Sequence, residues 1–303
     1  MTANRNVLKL LNSAGCNLDR RRVSAMLLSA AALPIDDLVS ALRYPLYDAA
    51  SARVLPKGGH RSLVSLGDAV IKLVENGAID RGKFFQIYRT SGGFPVELHN
   101  VLLGPSRERI VLTLDNANYY LKLLWPLGLS NHMAVNLKSP INGDSLNSFA
   151  STGGWTLGQE ENGAAYFNKL SIAPLTPDQE ARVVKIAQST YRPCCDNSTF
   201  FQDCNHGSAL LGLLELGASQ GLSDQELYRE ALAFNCFWFP DAYVQTALYF
   251  ELFDKLKWDR INPRLVLGFD YSALSAWKRN VAVRLAAVPG LVPGRLGGAA
   301  CGV

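Results

Sequence analysis

Apolar positions recur at three- and four-residue steps along much of the chain. Leu63, Leu66, Val70, Leu73 and Val74 keep that step, and Asn76-Gly77 ends the helix it predicts. Asp80 is placed to cap a second helix through Phe84, Phe85 and Ile87, ended by Gly92-Gly93. RIVLTL, residues 109–114, reads as a short strand. Asp115 or Asn116 then caps a helix through Tyr119, Leu123 and Trp125, closed by Pro126 and Gly128. The second half is better signposted. Thr176-Pro177-Asp178-Gln179 combines a cap, a first-turn proline and a reciprocating Gln, and predicts a helix to about Ser189. Asp203 caps the next, through Leu210, Leu211, Leu213, Leu214 and Leu216. Ser223 with Glu226 opens a helix towards Asn235, Asp241 starts another after Pro240, and a last one covers Tyr271 to about Ala287. The pattern predicts a mainly α fold: a helical bundle with one long irregular Gly/Asn/Ser-rich loop and at most a short strand or hairpin.

Five segments follow. Residues 1–60 form an N-terminal leader or helical extension, with short helical pieces from 35 broken by Pro45, Pro56 and Gly58-Gly59. Residues 61–140 are an N-terminal helical half, 141–175 an irregular connector, 176–288 a C-terminal helical half, and 289–303 a flexible, Cys-bearing tail. Within the leader, RRRVSAMLLSAAALP (20–34) places Arg20, Arg21 and Arg22 before a short apolar run and Ala30-Ala31-Ala32. That is the layout of a twin-arginine export signal, and it competes with a plain amphipathic helix. If residues 20–34 are a signal the protein is expected to be periplasmic or exported; otherwise it is expected to be cytoplasmic.

Composition narrows the function classes. With 48% hydrophobic and 18% charged residues the 303-residue chain can bury a sizeable core. The net charge of +4 is spread along the chain, which argues against a nucleic-acid partner, and no run is long enough to be a membrane helix. No nucleotide or flavin motif is present.

The chemistry concentrates at YRPCCDNSTFFQDCNHG, residues 191–207. Four of the six cysteines, Cys194, Cys195, Cys204 and Cys236, lie in one short stretch; Cys16 and Cys301 lie near the ends. Cys204 falls in the first turn of a helix, where unpaired N–H groups favour a thiolate and should lower its pKa. Thiolates and imidazole are the ligands that zinc and copper(I) select, so Cys194, Cys195, Cys204 and His206 form a candidate metal set. The same residues allow a thiol-disulfide relay or sulfur carrier, with Cys236 and Cys301 as redox partners and a redox or metal-donor protein as its counterpart. They also allow a disulfide-stapled structural or partner-binding protein. DCNHG is similar to the NCNHF of permuted papain-like peptidases, a resemblance that implies a hydrolase with Cys204 as nucleophile and His99 or His132 as base. Asn197-Ser198-Thr199 is formally a glycosylation sequon.

With YRPCC…DCNHG, the following GSALLGLLELGASQG, FASTGGWTLG at 149–158 and the terminal CGV, the sequence from about Gly67 onwards resembles a group of uncharacterised bacterial proteins, many of them exported. The resemblance implies one helical domain family. It carries over Cys194, Cys195, Cys204, His206 and Cys301 as candidates and supplies no mechanism.

Overall fold

The computed structural model describes residues 35–89, 95–152, 154–288 and 291–293. It is mainly α, with a single two-stranded sheet among the described residues. The leader motif at 20–34, Cys16 and Cys301 lie outside the described residues. The first helix, α1 (Ile35–Val54), is continuous and carries Pro45 inside it, where the sequence reads as broken pieces. Ala50 and Val54 are buried against a later helix, and this packing outweighs the local cost of the proline.

Strand β1 (His60–Gly67) pairs antiparallel with β2 (Ser106–Leu112). The helical step read from Leu63 therefore begins too early. Ser62, Val64 and Leu66 point inward at a period of two, and Gly67, at φ +55°, turns the chain into α2 (Ala69–Glu75). The strand is held from outside its own sheet. Buried Glu230 accepts from Ser62 Oγ (2.6 Å) and the Leu63 N–H (3.1 Å), and its Oε2 lies 3.1 Å from His60 Nε2. Asp80 caps α3 (Arg81–Tyr88) through the Lys83 N–H, as its position implies.

The centre of the fold is the crossing of α4 (Ala117–Ser130) and a later helix that begins beside the cysteines. Neither Pro126 nor Gly128 ends α4, because its last turns are buried on every side. Gly128 instead permits contact: a Cβ there would lie 1.9 Å from the Ser208 carbonyl oxygen, and one on Gly212 would lie 2.6 Å from the Leu124 carbonyl. The two backbones touch.

The irregular stretch after α4 is part of the core. Met133, Ile141, Trp155, Leu157 and Tyr166 are buried, and Trp155 meets Trp125 edge-on at 5.2 Å. Asn131 Oδ1 accepts from the N–H groups of Ile172 and Ala173, and Asn168 Oδ1 from that of Met133, so side-chain amides satisfy backbone that no helix or sheet could.

Both expected capping boxes form, at Thr176/Gln179 of α5 (Pro177–Ser189) and Ser223/Glu226 of the helix ending at Trp238. Between them runs α6 (Asn205–Ser219), followed by α7 (Asp224–Trp238) and α8 (Pro240–Tyr249). The final helix starts at α9 (Leu274–Trp277) and widens through a π turn, Lys278–Ala282, before Val283–Ala286. With α1 and α8 it encloses a second apolar cluster that contains Cys236.

Glu215, inside α6, is fully buried, and burial holds its carboxyl well above the usual range; the neighbouring Asn131 opposes this only in part. The folded state thus keeps a proton that the unfolded chain loses above about pH 4.3. Stability from this group is complete below that pH and declines as pH rises towards the folded-state value, by about 1.4 kcal/mol per unit. Glu215→Gln removes the decline. Urea unfolding at pH 5 and pH 8 should show the variant's advantage growing with pH; parallel curves for the two proteins would refute the assignment.

Candidate metal centre

The segment from Thr190 to Cys204 has no regular structure of its own and is fixed by its ends. Thr199 N–H donates to the Thr190 carbonyl (2.9 Å), closing a loop around residues 191–198. The loop is tied to the last helix by Leu274 N–H donating to the Cys195 carbonyl (3.0 Å) and Ser275 N–H to Asp196 Oδ1 (2.7 Å). Cys194 and Cys195 are thereby held, half-buried, over the start of α6.

The residue that caps α6 is Cys204, not Asp203 as the sequence suggests. Cys204 has the extended backbone of an N-cap (φ −153°, ψ 168°), and its Sγ accepts from the Gly207 N–H at 3.4 Å. Asp203 is diverted by a buried cation. Arg192 is 0% exposed, and its guanidinium pairs with the Asp203 carboxylate, whose other oxygen accepts from Asn197 Nδ2 at 2.8 Å. Further Arg192 donors go to the carbonyls of Asn197 (3.1 Å) and Phe201 (3.3 Å) and, from Nε, to Cys204 Sγ (3.4 Å). Gly207 leaves room for this: a Cβ would sit 2.6 Å from Arg192 Nη2.

Three sulfurs converge here. The Sγ atoms of Cys194, Cys195 and Cys204 all lie within 4.8 Å of one another, and those of Cys194 and Cys204 are 3.8 Å apart. A disulfide bond is about 2.05 Å long, so these two sulfurs face each other beyond disulfide distance. Charge on Cys204 meets an arginine N–H and a helix N-terminal N–H, both donors that stabilise a thiolate. Contact with Cys194 favours the thiolate of Cys195. Hydrogen bonding to Cys204 and burial outweigh that contact and push Cys195 up to about 12. Burial disfavours the charge of Arg192, but the attraction of Cys204, Cys195, Cys194 and Asp203 prevails, and the guanidinium is held even more firmly cationic than usual.

His206 does not join the sulfurs. One residue past the start of α6 its ring turns to the other side and packs 4.5 Å from Phe239 and 6.0 Å from Trp238, with Nδ1 buried and without a hydrogen-bond partner. Cys236 is buried in the second apolar cluster, and burial drives its thiol well up. His99 stacks on Phe85, and His132 Nδ1 lies 3.1 Å from the Asn168 carbonyl. Asn197 of the sequon is engaged with Asp203.

Sequence reasoning missed Arg192. One arginine beside a proline carries no local signal of burial, and its pairing with Asp203 exists only once the loop has closed. No family model, curated protein or solved structure matches the chain. Among the described residues no helix is long and apolar enough to cross a membrane.

Proposed function

We propose that the protein binds a thiophilic metal ion, zinc or copper(I), through Cys194, Cys195 and Cys204. The reading rests on the convergence of three sulfurs within 4.8 Å of one another beside a helix N-terminus. Soft thiolates select these ions over the hard divalent cations, and three sulfurs can hold copper(I) without further help, whereas zinc requires a fourth ligand. Arg192 offsets part of the negative charge that deprotonating three thiols creates, and Asp203 holds Arg192 in position. His206 would have to turn its ring away from Phe239 to serve as the fourth ligand.

Titration of the reduced protein with zinc and copper(I) against a competing chelator tests this. The expected result is one ion per chain, with thiol alkylation of Cys194, Cys195 and Cys204 suppressed together. Cys204→Ser is the informative variant, because serine keeps the helix cap. It should retain the fold by circular dichroism and lose the competition by at least about a hundredfold. A Cys204→Ser protein that binds as tightly as the parent would end the metal reading.

One observation favours a second reading. Cys194 and Cys204 face each other at 3.8 Å, with Arg192 and the Gly207 N–H donating to Cys204. In a thiol-disulfide role the half-buried Cys194, as thiolate, attacks a disulfide of a partner and expels one partner thiolate. The buried Cys204 thiolate then attacks Cys194 in the mixed disulfide, releasing the second partner thiolate and leaving Cys194 and Cys204 bonded. Recovery of a peptide linked through these two cysteines after treatment with oxidised glutathione, from protein that takes up no metal, would select this reading over the first.

A further inference from the structure

The three sulfurs of the candidate centre form a set without a fourth member. Among the described residues no further histidine, cysteine or carboxylate ligand atom joins them within 4.8 Å. Cys195 donates to Asp203 Oδ1 (3.7 Å), but that carboxylate is already occupied by Arg192 and Asn197. His206 faces Phe239 instead.

Charge selects among the ions that such a set could hold. Three thiolates around copper(I) leave two negative charges, and around zinc one. The cation beneath them, Arg192, is shared with Asp203. Cys204 is buried, and Cys194 and Cys195 are half-buried. Through Pro193 the loop borders a cavity of about 490 Å³ whose walls are largely apolar, Trp238, Phe239 and Trp277 among them. Uncompensated charge is costly where water is partly excluded. The ligand class that suits the centre therefore takes three sulfurs, needs no fourth donor and ends without net charge. Trivalent metalloids meet all three conditions.

We propose that Cys194, Cys195 and Cys204 bind arsenic(III), taken up as uncharged arsenous acid; antimony(III) hydroxide belongs to the same class. In the step three As–OH bonds and three S–H bonds break, and three As–S bonds and three water molecules form. Each thiol proton leaves in a water molecule, neither arsenic nor sulfur changes oxidation state, and the product is neutral. The lone pair of arsenic takes the position where zinc requires a fourth ligand. The inference rests on the same convergence of sulfurs as the metal reading and asks nothing of His206.

The test uses the full-length protein, kept reduced by a thiol-free phosphine, and two probes. Sodium arsenite engages three thiols; phenylarsine oxide, with a phenyl group on arsenic, engages two. Native mass spectrometry of the parent should show one arsenic atom in place of three hydrogens. Cys195→Ser should weaken arsenite binding by at least about a hundredfold, the scale of one arm lost from a multivalent contact. The same variant keeps Cys194 and Cys204, whose sulfurs lie 3.8 Å apart, and should still hold phenylarsine oxide. Cys16→Ser/Cys301→Ser should bind arsenite as the parent does. The proposal is overturned if arsenite binding survives in Cys195→Ser, if it is lost in Cys16→Ser/Cys301→Ser, or if a Cys195→Ser protein with the parent's circular dichroism spectrum holds neither probe. A parent that takes up zinc or copper(I) but no arsenite overturns this proposal alone. One that takes up none of the three overturns the metal reading with it.

Discussion

Arg192→Met should destabilise the protein by about 3–5 kcal/mol. That is the range for removing one partner of a buried ion pair, and it comes from the charge left behind more than from the attraction lost. Arg192 is fully buried, and its partner Asp203 is buried with it. The methionine fills similar space but leaves Asp203 facing the three thiols without a cation, and the carbonyls of Asn197 and Phe201 without donors. Chemical denaturation measures the loss. A companion variant separates stability from chemistry: Arg192→Met/Asp203→Asn removes both charges and should recover much of the lost stability. Cys204, now without its arginine donor, should in both variants react with iodoacetamide more slowly at neutral pH than in the parent. A single variant no less stable than the parent would show that the pair is not buried as described.

Gly128→Val should cost about 3 kcal/mol or more, at or beyond the upper end for overpacked cores. The ordinary remedy for overpacking is a neighbouring side chain that moves aside. Here the atom in the way is a backbone carbonyl of α6, 1.9 Å from where the Cβ would stand, so the two helices must separate along their whole contact. Separation pulls the N-terminus of α6, and with it Cys204, away from the loop that carries Cys194 and Cys195. The variant should therefore lose cooperative thermal unfolding and, with it, the metal uptake proposed for the three cysteines. Gly128→Ala should show the same direction with a smaller loss. A valine variant that melts with the parent would mean that α4 and α6 do not cross at these glycines.

The same two regions show how far the sequence could be read. The capping boxes at Thr176 and Ser223 were legible because every atom they need lies within four residues. Cys194, Cys195 and Cys204 were legible as a group because soft ligands clustered in a loop before a helix carry their own chemical signal. His206 was read into the same set from its spacing. Two residues after Cys204 on a helix it faces about 200° away, and the aromatic surface of Phe239 and Trp238 takes its ring. The start of β1 was misread because Leu63, Leu66 and Val70 fit a helical step, while the period-two run Ser62, Val64, Leu66 is too short to outweigh it. What decides is Glu230, 168 residues from Ser62, which binds the extended backbone.

By itself, then, the sequence determined the helical class, the positions of the well-capped helices and the clustering of thiols, because each of these depends on residues close together along the chain. Tertiary structure alone decided which residue caps α6, that Arg192 lies beneath the sulfurs, that Gly128 and Gly212 form a crossing rather than breaks, and that a largely apolar cavity opens beside the site. Each of those depends on an approach between distant segments, and the free energy that selects it, from burial, desolvation or steric exclusion, exists only once the segments have met.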